Sequence, residues 1–418
     1  MRKNIDSLTQ PELDAYERAI QAVKARSNAN PADPTGYLYW ANLHNDYDQV
    51  LHSGCAHFSE KFLPWHRRHL VDFEKVLQQT VPGVTDNVMI PYWDWTKPAS
   101  GTHFPKAFER QASPLFERRL NISPPPWDAD DIHGLVKEND WGVFAGLPDP
   151  SDGFGASPGS LENGPHNTLH GNISRDMRDP TTAALDPIFW SFHSFIDLAW
   201  TRWQRLHVTD QTPQPFQDGN AIIWFRDRSF QIKTTAKTSD FNYAYDYDYA
   251  SVDGPPPSPG LAAAAPAAGI YTPPRRTVAL VAAGEAGRYL TLRPGGPIMS
   301  GSNAVMRIAE VPVFHEQSYR LDVYLHPANI DVSSINSQAR RPLLIRTITV
   351  WKGHHDGKVQ LFVRLSPAQV AQLNGGSVVS ISSELALAEE DVLAAAQSPL
   401  PSLPRTSSLA VQAEIQER

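Results

Sequence analysis

From Gln10 onward, Leu13, Tyr16, Ile20 and Val23 recur at helical spacing, behind Ser7 or Thr9 as cap and with Pro11 early in the helix. After the NPADPTG loop a second helical pattern, YLYWANLHNDYDQVL, carries His44. A short turn, HSGCAHFSEKF, leads into FLPWHRRHLVDFEKVLQQTV. There Leu70, Phe73, Val76 and Leu77 mark one face, and Pro64 near the start places His66 in the first turn. Residues 80–160 are loop-rich, with MIPYWDWT and much Pro, Gly and Asp. Then come LENGPHNTLHGNI and a third strong helical pattern, DPIFWSFHSFIDLAWTRWQRLH, with Asp186 as N-cap, Pro187 in the first position and His193 inside.

The pattern changes after the tyrosine-rich YAYDYDY. SVDGPPPSPGLAAAAPAAG, about 250–270, has nothing to bury and reads as a linker. From 271 to 385 the period becomes two: RTVALVAA, YRLDVYLH, LLIRTITVW and KVQLFVRL read as strands separated by Gly, Asn and Pro turns. The organisation expected is a mainly α domain over 1–249, a linker over 250–270, an antiparallel β-sandwich over 271–385 and a tail over 386–418.

With 418 residues, two domains are the natural division. A net charge of −8 and the lack of any basic run argue against a nucleic-acid partner. No apolar run approaches the roughly 20 residues that span a bilayer. The N-terminus lacks an apolar core, so no signal peptide is read there. The single cysteine, Cys55, excludes an internal disulfide framework. These features lead to the expectation of a cytoplasmic protein, or one exported by another signal.

The histidines carry the chemistry. His166 and His170 stand four apart, so a helix puts both imidazoles on one face, where they can share a metal ion. His193 on the next helix completes one set of three. His44, His57 and His66 form a second set upstream, and two such sets suggest two ions facing each other across a four-helix core. In paired sites the ions lie roughly 3.5–4 Å apart. All-imidazole coordination fits copper better than magnesium or manganese and leaves zinc open. His52 is a rival to His44 but falls in the turn, and His69 lies on the back of its helix.

HFSEKFLPWHRRHLVDFE, LENGPHNTLHGNI, DPIFWSFHSFID and the YAY/YDY tyrosines resemble the tyrosinase, catechol oxidase and haemocyanin family of type 3 dicopper proteins. The resemblance extends loosely into the strand region, from about residue 2 to about 385. It implies a four-helix-bundle dicopper core with His44, His57 and His66 on one copper and His166, His170 and His193 on the other. It also implies a thioether between Cys55 and His57, with a free buried thiol as the alternative. Glu162 and Asn167 are implied to hold the water that takes the phenol proton. Gly171 would leave the pocket mouth open and Phe189 would line the second-copper side. Two departures stand out. Phe192 replaces the first of two adjacent histidines common in the family, and Leu198 stands where an Arg often follows the Asp, leaving Asp197 without its usual partner.

The implied function is an oxidase that uses two copper ions and O₂. It would hydroxylate monophenols to o-diphenols and oxidise these to o-quinones, acting on small phenols such as tyrosine, L-DOPA and catechols. The C-terminal domain would keep it latent. No nucleic-acid or membrane partner is expected, and self-association is left open. The alternatives are a diphenol-only or o-aminophenol oxidase, a haemocyanin-like O₂ carrier, and a zinc-bound non-redox protein.

Overall fold

The computed structural model describes residues 1–45, 55–96, 104–119, 129–147, 158–173, 175–207, 222–225, 228–254, 276–286, 289–299, 304–314, 318–350, 357–385 and 412–417. Thr9 opens helix α1 (Gln10–Ala29) through a capping box with Glu12, and Tyr16, Ala19, Ile20 and Val23 bury one stripe of it. Helices α2 (Tyr37–Asn45) and α3 (Phe62–Gln78) follow, then the short α4 (Ala129–Val136) and α5 (Trp141–Ala145). A π-helical turn (Glu162–His166) runs into α6 (Asn167–Asn172), and α7 (Ile188–His207) ends the helical run. Asp186 caps α7 by accepting from the Ile188 N–H at 3.0 Å. Every residue from Ile188 to Trp200 is buried, as expected of a helix that is apolar all round. Trp190 of α7 stacks on Phe73 of α3 at 4.0 Å, fixing the two helices against each other.

Asp197 ties this core to both ends of the helical unit. Far from lacking a partner, its carboxylate takes Arg67 Nε at 2.5 Å and Arg2 Nη1 at 3.2 Å, with the Tyr243 and Tyr245 hydroxyls donating at 2.5 and 2.6 Å. The missing Arg at Leu198 is replaced from elsewhere in the chain. The N-terminal segment pairs with the tyrosine segment through Arg2 N–H to Ala244 O and Asp246 N–H to Arg2 O, which delivers the Arg2 guanidinium to Asp197. Burial alone would raise the Asp197 pKa, but Arg67, Arg2 and the two hydroxyls hold it below the ordinary carboxylate value.

The strand-like segments form a separate sheet. A hairpin of β1 (Ile222–Phe225) and β2 (Arg228–Gln231) packs Phe225 on Trp65. Next come β3 (Arg276–Ala286), β4 (Tyr289–Pro294), β5 (Ala304–Val313), β6 (Tyr319–Pro327), β7 (Leu344–Val350), β8 (Gly357–Leu365), β9 (Ser377–Leu385) and β10 (Gln412–Glu417). These eight strands form one antiparallel sheet in the order β7-β6-β9-β4-β3-β10-β5-β8. Hydrogen bonding runs unbroken from β7 to β8, so the strands expected to form a sandwich belong to one continuous antiparallel sheet.

The end of the chain corrects a second expectation. Residues 412–417, read as part of a tail, form β10 in the middle of the sheet, paired with β3 on one side and β5 on the other. Ala413 and Ile415 alternate into the core, a period-two signal short enough to be lost beside the polar sequence before it. The proposed linker lies outside the described residues from 255 on, as does 386–411 of the proposed tail.

The sheet rests on the helical unit by both edges. Val305 of β5 and Phe362 of β8 join Val143 and Leu147 in one apolar cluster. Arg364 lies 3.5 Å from Glu138, and Arg346 of β7 lies 3.9 Å from Asp131.

Two outcomes follow. Asp197→Ala leaves the buried Arg67 guanidinium without a carboxylate partner among the described residues and Arg2 with Glu74 alone, and should destabilise the helical unit by about 3–5 kcal/mol in chemical denaturation. Because the folded pKa of Asp197 is depressed, its contribution is present above the unfolded carboxylate value near 4 and is lost as pH falls through the folded one. A loss below about 1 kcal/mol would mean that the network is not integral to the core. Deleting 412–417 removes the only hydrogen-bonded link between β3 and β5 among the described residues. It should therefore loosen the sheet, seen as faster amide exchange in β3 and β5 while α3 and α7 stay protected.

Candidate metal centre

Four helices, a loop and a turn bring the predicted histidines together. His44 ends α2, His57 sits in the loop before α3, and His66 lies in the first turns of α3. His166 closes the π-turn, His170 lies on α6 and His193 on α7. The ligand atoms of His44, Cys55, His57 and His66 all lie within 4.8 Å of one another, and so do those of His166, His170 and His193. The two groups face each other: the His66 ring stacks on His193 at 4.2 Å, and His57 lies 5.5 Å from His166. Every one of these side chains is buried.

The rings are also aimed. His44 Nδ1 meets the Pro180 carbonyl at 2.7 Å, His66 Nδ1 the Phe62 carbonyl at 2.8 Å and His170 Nδ1 the Met177 carbonyl at 2.5 Å. A carbonyl only accepts, so each Nδ1 carries the proton and each Nε2 keeps its lone pair. His166 Nδ1 meets Asn167 Oδ1 at 2.8 Å, and the amide is oriented by its other end, because Asn167 Nδ2 donates to the Thr349 carbonyl at 3.1 Å. His57 Nδ1 meets Glu162 Oε1 at 3.1 Å. Outer partners of this kind fix the tautomer and direction of a metal-bound imidazole.

Burial holds five of the rings neutral. It pushes His44, His66, His166 and His193 well below the ordinary histidine pKa, reinforced by neighbouring imidazoles, and takes His170 to about 3. Neither ring nitrogen of His193 has a hydrogen-bond partner among the described residues, although the ring is fully buried. Such an orphaned polar group is costly unless something outside the chain satisfies it. Three neutral imidazole nitrogens converging on one point make a donor set for copper or zinc, so the residues fit a metal pair.

The remaining site residues depart from expectation in detail. Glu162 is buried, and its Oε1 accepts from the Phe58 N–H at 2.7 Å as well as from His57. Its Oε2 is buried without a hydrogen-bond partner among the described residues, and burial raises the Glu162 pKa. Phe58 takes a left-handed φ of 60° to present that N–H, while its side chain belongs to the apolar core of the sheet. Glu162 and Asn167, expected to share a water, each also hold a histidine ring. Cys55 is buried in the first group, where its sulfur meets His66 Nε2 at 3.3 Å and lies within 4.8 Å of a ring nitrogen of His57. Phe189 is fully buried and packs on His44 at 4.8 Å as well as on His193 at 4.2 Å, so it lies under both groups rather than on the second side alone. Phe192 stacks on His166 at 5.4 Å and meets His170 edge-on at 4.8 Å, walling the second group.

Gly171 does not open the mouth. A Cβ placed there would stand 3.6 Å from the Thr349 methyl of β7, and the Thr349 hydroxyl reaches Thr168 at 3.4 Å. Strand β7 therefore covers α6. His69 is buried on the far side of α3 against the Trp40 carbonyl, and His133 and His207 lie away from the site in contact with Asp253 and the Val136 carbonyl. His326 lies in β6, bonded to Ser380. His52, His103, His315, His354 and His355 lie outside the described residues. Thr349, Phe58 and the carbonyls of Met177 and Pro180 were not found from sequence. A backbone carbonyl has no sequence signature, and Thr349 looked like any alternating strand residue.

The model of the common central domain of tyrosinase matches residues 34–140 and 117–206. A tyrosinase of Hahella sp. (strain CCB-MM4) is 27% identical over 254 residues, covering 48% of this chain and 53% of that protein. The chain spans about half the length of the curated relatives it matches. In fold, a latent apple tyrosinase superposes with a TM-score of 0.66 at 19% identity, covering 100% of this chain and 95% of the other. A functional unit of octopus haemocyanin gives 0.60 at 14%, covering 100% of both. The helical core with a C-terminal antiparallel sheet is thus a shared architecture, and the region that carries the six histidines is similar to the common central domain of tyrosinase.

Proposed function

We propose that this protein is a copper-dependent phenol oxidase whose C-terminal sheet keeps it latent. The observation that carries the reading is the pair of facing, buried three-imidazole groups. His44, His57 and His66 would hold one copper and His166, His170 and His193 the other, with α2, α3, α6 and α7 as the four-helix frame. When bound, the copper pair supplies O₂ binding and the two-electron oxidising capacity that phenol oxidation requires.

The chain's own residues handle the proton. A phenol with a pKa near 10 needs a positioned base to ionise at neutral pH. Glu162 Oε2, buried and without a partner among the described residues, suits that task, while Oε1 keeps His57 in place. The same oxygen favours oxidation over simple O₂ carriage, for which a proton acceptor has no use. On this reading monophenols are hydroxylated to o-diphenols, and o-diphenols are oxidised to o-quinones.

Strand β7 is the natural shield. Asn167 is engaged by the Thr349 carbonyl, and the Thr349 methyl lies over Gly171. Lifting the sheet would expose the second group and release Asn167. Cleavage within 255–275 followed by removal of the sheet should raise oxygen uptake with 4-methylcatechol at least tenfold. Unchanged uptake would refute latency. Glu162→Gln should lower monophenol hydroxylation by roughly 10²-fold and diphenol oxidation far less. Equal losses on tyrosine and L-DOPA would mean that Glu162 serves only to orient His57.

A further inference from the structure

One segment, Arg175–Asp186, touches a ligand-bearing element of each histidine group. The Met177 carbonyl holds His170 Nδ1 at 2.5 Å, and three residues later the Pro180 carbonyl holds His44 Nδ1 at 2.7 Å. Met177 and Pro180 are both buried. Helix α2, which carries His44, is tied to the segment again, because the Tyr37 hydroxyl meets the carbonyls of Ala184 and Leu185 at 3.1 Å each. The segment ends in Asp186, whose carboxylate caps α7, the helix of His193, and pairs with Arg119.

The segment has its own internal scaffold. Asp179 Oδ1 accepts from the Thr181 N–H at 2.9 Å and the Thr181 hydroxyl at 2.8 Å. The Asp179 carbonyl accepts from the Thr182 and Ala183 N–H groups at 3.0 and 2.8 Å, and the Asp179 N–H closes a turn onto the Asp176 carbonyl at 3.0 Å. The Thr182 hydroxyl reaches the same Asp176 carbonyl at 3.2 Å. A short polar side chain bonding the backbone two residues on is an Asx-turn, and it sets the direction of the carbonyls around it. Here those carbonyls are the ones that aim His170 and His44. Pro180 between them has its φ fixed by its ring.

We infer that residues 175–186 act as a bracket that sets the two metal sites relative to each other, with Asp179 as its positioning residue. Two carbonyls on one rigid turn fix the tautomer and direction of one imidazole in each group. A distortion of the turn therefore reaches both sites at once, although none of its side chains is a ligand. The inference rests on the dicopper reading and extends it to residues outside the metal-binding motifs.

The test is Cu(I) competition against a chromophoric chelator, reading both copper equivalents in the full chain. Wild type should bind two. Asp179→Ala should weaken both by about 10–100-fold, the usual cost of losing an outer partner of a metal-bound imidazole. Asp179→Asn, which keeps the accepting oxygen, should restore both. Pro180→Gly, which frees the backbone next to the His44 contact, should weaken one equivalent far more than the other. The unliganded Asp179→Ala protein should unfold within about 2 °C of wild type, separating a site effect from general damage. Two wild-type affinities in Asp179→Ala, or loss of the same single equivalent in Asp179→Ala and Pro180→Gly, would overturn the bracket while leaving the dicopper site standing. A wild-type chain that binds fewer than two coppers would overturn the dicopper reading, and the bracket with it.

Discussion

Burying six imidazoles in one pocket is the constraint on which the structure depends. Each ring must stay neutral, because charging several side by side in a dry interior is prohibitive, and each must present a lone pair to the same small volume. The chain meets this by spending the outer nitrogen of the rings. Three backbone carbonyls, one carboxylate and one amide accept from Nδ1 of five rings, which leaves Nε2 directed inward. His193 has no such partner among the described residues and is held by packing between Phe189, Phe192 and the His66 ring. The irregular features nearby serve the same end: the left-handed Phe58 and the π-turn at Glu162–His166 place the groups that regular helices would miss.

Those outer partners come from distant parts of the chain, and that makes the site sensitive to tertiary structure. Asn167 reaches its histidine while bonded to β7 of the sheet, and the Phe58 ring lies in the sheet's own core. The sheet is therefore bonded directly to a residue that aims one of the candidate metal ligands. Its integrity depends in turn on β10, the last described segment of the chain. At the opposite end, Arg2 crosses to Asp197, one turn after His193, and joins the tyrosine segment to α7. The helical unit is thus fastened near its own termini and covered by a sheet that the end of the chain completes.

Much of this was legible in the sequence, and the limits have physical causes. The helices bearing His44, His66 and His193 announce themselves by 3.6-residue periodicity, and β3, β6, β7 and β8 by alternation. The histidine groups followed from spacing and from flanks that resemble a known family. What stayed hidden was long-range. Leu198 suggested an Asp197 without its usual partner because the two arginines that replace it lie 130 and 195 residues away in sequence. Gly171 suggested an open mouth because nothing in its neighbourhood betrays Thr349. Residues 412–417 looked like a tail because a six-residue alternating strand is a weak signal after a long polar stretch.

The central claim is that the two histidine groups hold a pair of copper ions. Anomalous diffraction at the copper edge, from crystals of copper-loaded protein, tests it most directly. The account predicts two copper peaks per chain, one within His44, His57 and His66 and one within His166, His170 and His193. A single peak, or copper bound away from these residues, would contradict it.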